Sequence, residues 1–174
     1  MKKIHKKNRE KKLKMTLQLS LFLSLGVVLY IIESFINVFI FVPGVKLGLS
    51  NIVILIILYI YGMKEALKIG FMKVFFTSLF RSGFGLNFVL SLVGMILSVL
   101  VSGIFKKTEK FSIVGLSVVG ANFHILGQII VMSFVYRTYL FYVSYLPYMI
   151  LITVISGIIT GYITKEIIER VDFD

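Results

Sequence analysis

The sequence predicts an all-α integral membrane protein, a six-transmembrane-helix bundle with both termini cytoplasmic. Three observations carry that expectation. Hydrophobic residues make up 58% of the 174 residues, and the mean hydropathy is +0.97; soluble domains are about half apolar by a similar count. The apolar residues gather in runs that approach the roughly 20 needed to cross a bilayer. When those runs are threaded antiparallel, most lysines and arginines fall on one side.

The chain opens on a basic arm, MKKIHKKNREKKLKM, with eight Lys or Arg among its first 14 residues. Beside a membrane span, such an arm reads as a contact for anionic lipid headgroups rather than for nucleic acid. The apolar run after it is too long for a signal-peptide core and ends in no small-residue cleavage site. It is therefore span 1, about Leu17–Phe41. In VPGVKLGLSN, Pro43 fixes φ and Gly44 permits positive φ, so a turn follows. Span 2 is about Leu47–Tyr61. The short YGMKE turn makes span 3, about Ala66–Phe80, antiparallel to it. RSGFG interrupts the pattern before span 4, about Leu86–Phe105. KKTEK is a polar loop, and span 5 is about Ile113–Tyr136. RTYLFYVSYLP is aromatic and interfacial, as tyrosine rings are at headgroup depth. Span 6 is about Tyr148–Ile168. Residues 1–16 are thus a cytoplasmic arm, 17–168 one membrane domain, and 169–174 a cytoplasmic tail.

Charge orients the threading. The arm, Lys64, Lys68, Lys106, Lys107, Lys110, Lys165 and Arg170 share one side, and Lys46, Arg81 and Arg137 the other. The positive-inside rule puts the first side in the cytoplasm of a multi-pass cell-membrane protein. Lys73 falls inside span 3.

Ionisable groups within a bilayer are costly and face a cavity or a partner. Helical rise places each by depth. Glu33 lies about 24 Å beyond Leu17, and His124 and Gln128 about 17 and 23 Å beyond Ile113. His124 and Gln128 share a helix face at i and i+4. Asn51 begins span 2, Arg81 ends span 3, Asn87 begins span 4, and Lys46 lies in the first outer loop. The expected substrate-binding set is Glu33, Lys46, Asn51, Arg81, His124 and Gln128 around an outward cavity, with Lys73 nearer mid-membrane. Asn122 lies somewhat deeper than His124. The competing reading is a set of hydrogen bonds between helices. A small-molecule site occupies about 300–1,000 Å³, and Phe39, Phe41 and Tyr139 are candidates for its lid. Lys46, Arg81 and Lys73 favour an anionic or amphipathic ligand, whereas Glu33 would receive a cation.

Small residues recur at four-residue spacing: Ser20 and Ser24; Gly94, Ser98 and Ser102; Gly157 and Gly161. Such spacing lets helices approach closely. It serves packing within the bundle or, at Ser20 and Ser24 on span 1, docking of a partner membrane protein.

The chain has no cysteine, which excludes disulfides, thiolate metal sites and a cysteine nucleophile. It has no acidic pair of the DDxxD kind that holds magnesium diphosphate, no phosphate loop, no HExxH and no CxxC. Aspartate occurs only at Asp172 and Asp174. No catalytic residue, cofactor or metal is expected, and with His5 and His124 as the two histidines, a haem between helices has little support.

PGVKLGLSNIVIL, YGMKEALKIGFMKVFFTSLF, LSLVGMILSVLV and FSIVGLSVVGANFHILGQIIV resemble successive blocks of the small membrane proteins called Gx transporters. That family is also labelled heptaprenyl diphosphate synthase component I. The resemblance runs from span 1 to span 6, and the PGVKLGLSN and GAxxHxxGQ blocks are its most specific parts. One departure is Ile125, where asparagine is expected after the histidine. The family resembles the substrate-capture (S) components of energy-coupling-factor importers. This implies a six-helix protein that binds a vitamin-like molecule at its outer face and pairs with a transmembrane coupling subunit and ATPases. An importer subunit is the leading expectation. The older label implies an accessory subunit of an enzyme making the menaquinone side chain. The frequent company of such proteins with flavin and quinone proteins implies a third role, in extracellular electron transfer.

Overall fold

The computed structural model describes residues 2–36, 48–137 and 140–171. Six α-helices follow in the expected order: α1 (Lys2–Ile36), α2 (Leu49–Ile60), α3 (Met63–Thr77), α4 (Leu86–Lys107), α5 (Ile113–Tyr136) and α6 (Leu140–Arg170). No strand occurs among the described residues. Four segments are long and apolar enough to cross a membrane: Arg9–Phe35, Leu86–Lys107, Ile113–Tyr136 and Leu146–Arg170. The protein is a membrane protein; among the described residues four helical segments reach full crossing length, and α2 and α3 are the two shorter helices.

α2 has 12 residues, about 18 Å of helix against a hydrocarbon core of about 30 Å. The 15 residues of α3 are lengthened by a five-residue π-helical turn, Ser78–Ser82. Gly83 ends it at φ +65°, donating its N–H to the Ser78 carbonyl at 2.7 Å. That is the RSGFG interruption in structural form.

Two boundaries differ from expectation. α1 starts well before the expected Leu17, running unbroken from Lys2 through the basic arm. α6 begins at Leu140 and continues through Pro147, so most of the aromatic loop is helix. Arg137 takes the left-handed conformation (φ 50°) directly after α5, and α6 begins three residues later, at Leu140. Proline at position 147 lacks an N–H, so one bond of the helical ladder is forgone there.

α2 is the interior of the bundle. It packs against α1, α3, α4 and α6. Ile52 through Leu58 are all buried, a run that a helix with one outward face cannot show. α1 turns Leu17, Leu21, Leu25, Val28 and Ile32 outward, a lipid-facing stripe at three- and four-residue spacing. Its other side meets α2 and α3, where Tyr61 donates its hydroxyl to Gln18 Oε1 at 2.7 Å. Gln18 is thereby level with the α2–α3 turn.

Lipid tails are as apolar as leucine, so helices associate through close packing rather than hydrophobic drive. The glycines supply it. A methyl on Gly127 of α5 would lie 2.9 Å from the Cα of Gly94 in α4. Methyls on Gly157 and Gly161 of α6 would each lie 2.7 Å from a Cα of α5, that of Val118 and of Val114. These glycines pack the bundle. Ser20 and Ser24 remain exposed on α1, donating to the carbonyls of Thr16 (2.9 Å) and Ser20 (3.1 Å) within their own helix.

Candidate functional site

The first turn of α2 organises the site. Its N-cap, Gly48, sits at φ 78° and contributes no side chain to the helix end. The leading N–H groups of a helix need partners, and here they come from α1. Glu33, 2% exposed, accepts the N–H of Gly48 and, at 3.5 Å, that of Ser50. A carboxylate at that position also meets the positive end of the helix dipole.

Lys73 reaches the same turn from α3. It is 5% exposed, and its stem passes Gly26 of α1. Its Nζ donates to Asn51 Oδ1 at 3.1 Å and to the carbonyl and hydroxyl oxygens of Ser50 at 3.4 Å. At the opposite end of α2, Lys106 from α4 donates to the carbonyls of Leu58 (3.0 Å) and Tyr59 (2.6 Å) and stands 4.9 Å from the Tyr59 ring centre. A central helix without side-chain caps of its own is thus held by charges of opposite sign lent by α1 and α4.

A cavity of about 110 Å³ lies against this turn. Tyr30 and Glu33 line it from α1, Ser50, Asn51 and Ile54 from α2, and Lys73 and Thr77 from α3. Ser91, Met95 and Ser98 face it from α4, His124, Ile125 and Gln128 from α5, and Thr153, Ser156 and Thr160 from α6. Its volume is below the ~300–1,000 Å³ of sites that enclose drug-sized ligands. It suits a small polar group rather than a whole large ligand.

On α5, His124 Nε2 and Gln128 Nε2 are 3.3 Å apart. Gly94 makes room for them, because a methyl there would lie 2.8 Å from the His124 carbonyl and 3.0 Å from its Nε2. Around the lining, Thr153 donates to Asn122 Oδ1 at 3.0 Å, and the Ser117 and Thr160 hydroxyls pair at 2.9 Å.

Of the residues expected from the sequence, the cavity brings together Glu33, Asn51, Lys73, His124 and Gln128. Lys73 enters this group although its backbone lies deeper, because its long stem carries the ammonium to α2. Arg81 is not among the lining residues. It is exposed, with its guanidinium 5.5 Å from the Phe35 ring centre, and it donates to the hydroxyl and, at 3.3 Å, the carbonyl of Ser34. It ties the end of α3 to the end of α1. Asn87 is exposed. Lys46, Phe39, Phe41 and Tyr139 lie outside the described residues. Ile125, where the family resemblance leads to asparagine, places an alkyl side chain on the lining.

Sequence reasoning missed the hydroxyl groups. Thr153, Ser156, Thr160 and Thr164 recur at spacings of three and four, one face of α6, and that signal was readable. Serine and threonine in membrane helices bond back to their own backbone, as Thr160 does to the Ser156 carbonyl at 2.9 Å, so a lone one signals little. Lys106 was also missed as a cap. The available clue was that α2 offers no basic residue in its own last turn.

Chemically, the lining offers an ammonium, amides, an imidazole and hydroxyls beside apolar walls. That set can hydrogen-bond a polar head group. Among the described residues, no group of three His, Cys, Asp or Glu could hold a metal ion.

A family model described as heptaprenyl diphosphate synthase component I matches residues 22–167, from the middle of α1 to near the end of α6. Neither curated proteins nor solved structures provide a match.

Proposed function

We infer that this chain, which belongs to the heptaprenyl diphosphate synthase component I family, is a non-catalytic membrane subunit that holds a small polar-headed molecule between its helices and works with a separate catalytic partner. The family match carries the accessory role and favours it over the importer that the sequence put first. The cavity supports the binding role. Prenyl diphosphate chemistry needs clustered carboxylates to hold magnesium, and the aspartates of this chain are confined to Asp172 and Asp174. Glu33 is engaged by the backbone of α2. The catalytic groups would therefore belong to the partner, a soluble prenyl diphosphate synthase subunit. In this reading the chain lies in the cell membrane with its basic end in the cytoplasm. The ligand head sits near Lys73, Asn51 and His124, and an apolar tail extends past Ile54 and Met95.

One observation favours a second reading, the binding subunit of an importer. Among the lining residues, Glu33 and Asn51 lie near the ends of α1 and α2 remote from the basic arm, where a molecule captured from outside would enter. Purification from native membranes in mild detergent separates the two. A soluble prenyl diphosphate synthase that copurifies, and whose activity rises when this chain is added back, supports the accessory role. Unchanged synthase activity overturns it, and a copurifying coupling subunit with ATPases replaces it with the importer.

A further inference from the structure

The basic arm is helical and continuous with the first span, and this changes what it can touch. α1 runs from Lys2 without a break. Gln18 is fixed level with the α2–α3 turn by its bond to Tyr61, and Lys14, the last cation before the apolar run, is one turn further out. At about 1.5 Å per residue, the helix from Lys14 to Lys2 rises about 18 Å beyond that point.

A helix can lie in the headgroup layer only if it has an apolar face. This one has none. Ile4 and Leu13 are the apolar residues between Lys2 and Lys14, and nine residues put them on opposite sides, about 180° apart. Eight cations lie between Lys2 and Lys14, with Glu10 as the one acidic residue among them. The side chains of Lys6, Arg9, Lys11, Lys12 and Lys14 are exposed. With the membrane edge taken at Lys14, where the apolar run begins, Arg9, Lys11, Lys12 and Lys14 fall within about 8 Å of it, about the Debye length at physiological salt. Lys2, Lys3, Lys6 and Lys7 lie about 10–18 Å from it, where attraction to anionic lipid is largely screened. Lysines recur at i,i+4 along this stretch of sequence (2 and 6, 3 and 7, 7 and 11), a spacing at which like charges destabilise an isolated helix. Such a helix is stabilised by an anionic surface that meets it away from the bilayer.

We propose that residues 2–14 are a docking post for an acidic surface of a soluble protein, with Lys2, Lys3, Lys6 and Lys7 as the contacts that lipid does not satisfy. Identification of that protein as the catalytic partner rests on the function proposed above; the post itself does not. The membrane-proximal cations hold the post upright against headgroups, and the distal ones engage the partner.

The test has two stages on the full-length chain. A photo-crosslinking residue replaces Lys6 in intact cells, and its adducts are identified. The adduct protein is then purified and its affinity measured for the chain in phosphatidylcholine nanodiscs. Wild type is compared with a distal variant (Lys2, Lys3, Lys6 and Lys7→Gln) and a proximal one (Arg9, Lys11, Lys12 and Lys14→Gln). Glutamine keeps helix propensity, so helical content checks that the arm survives. The expected result is an adduct with a soluble acidic protein whose affinity falls about tenfold or more in the distal variant, with a flatter salt dependence. The distal variant binds phosphatidylglycerol vesicles as wild type does, whereas the proximal one binds them less. Adducts to lipid or nucleic acid alone, no adduct at all, or unchanged partner affinity in the distal variant would overturn the post. An acidic partner that is no prenyl diphosphate synthase leaves the post standing and removes the catalytic-partner reading.

Discussion

Glu33 is the residue on which a ligand-binding role and a structural role diverge most sharply, and Glu33→Gln separates them. The carboxylate supplies two acceptor oxygens to the first turn of α2, one to Gly48 N–H and one, at 3.5 Å, to Ser50 N–H. Glutamine keeps one acceptor and turns an amide N–H toward donors it cannot serve. Loss of a hydrogen bond to a charged group costs about 1.5–3 kcal/mol. Loss of the charge at the helix N-terminus adds about 0.3–1 kcal/mol. The Ser50 contact is long, so most of the loss falls on Gly48, and about 2–3 kcal/mol is expected overall. At about 1.4 kcal/mol per decade, this shifts the folding equilibrium roughly 30- to 150-fold. Reversible unfolding in mixed detergent micelles, followed by circular dichroism, measures it. Wild-type stability combined with weakened ligand binding would refute the cap and return Glu33 to the ligand.

The other end of α2 gives a matching expectation. Lys106→Met removes the donor to Leu58 and Tyr59 and lowers stability by about 1–2 kcal/mol in the same unfolding assay, with Lys106→Arg recovering part of it. Gly127→Val forces α4 and α5 apart at Gly94 and costs about 1–3 kcal/mol or more, whereas Gly85→Ala, with nothing within 4 Å, stays near wild type in a thermal melt. Cysteines at Thr108 and Arg137, in a chain with none of its own, should label oppositely with an impermeant thiol reagent in intact cells; equal labelling removes the proposed orientation. Asn51→Ala and His124→Ala should each weaken binding of the copurified small molecule about ten- to hundredfold, at about 1–3 kcal/mol per lost buried hydrogen bond. Binding that survives both leaves these residues as links between helices.

Helical rise explains both what was legible in the sequence and what was not. Each residue advances a helix by a fixed distance, so counting from the ends of apolar runs placed Glu33, Asn51, His124 and Gln128 near one level, and they line one cavity. Depth says nothing about direction around the helix. Arg81 has a suitable depth but turns to Ser34 and Phe35. Side-chain length misleads in the opposite sense. Lys73 counts to mid-membrane, yet its flexible stem carries the charge toward α2. The central position of α2 was also hidden. IVILIIL reads as an apolar run whether lipid or protein surrounds it, since both are equally apolar. What distinguished it was its short length together with the absence of caps.

The missing side-chain caps connect the fold to the proposed binding site. A short helix inside a membrane cannot turn its end groups to water, so each buried N–H and C=O must find a partner in the protein. Glu33 and Lys106 do this for α2, while Lys73 donates to Ser50 and Asn51 in its first turn. Two of the three, Glu33 and Lys73, also line the cavity, so the charges that hold the first turn of α2 are those that a ligand in the proposed site would meet. A molecule accepting a hydrogen bond from Lys73 must compete with Ser50 and Asn51 for the same ammonium. Its net affinity is then the difference between two similar sets of bonds. Tight binding requires the ligand itself to satisfy Asn51 and Ser50, replacing the bonds it takes. This sets a chemical condition on the ligand, which must carry both an acceptor for Lys73 and a donor for the Asn51 side-chain oxygen, close enough together to fit about 110 Å³.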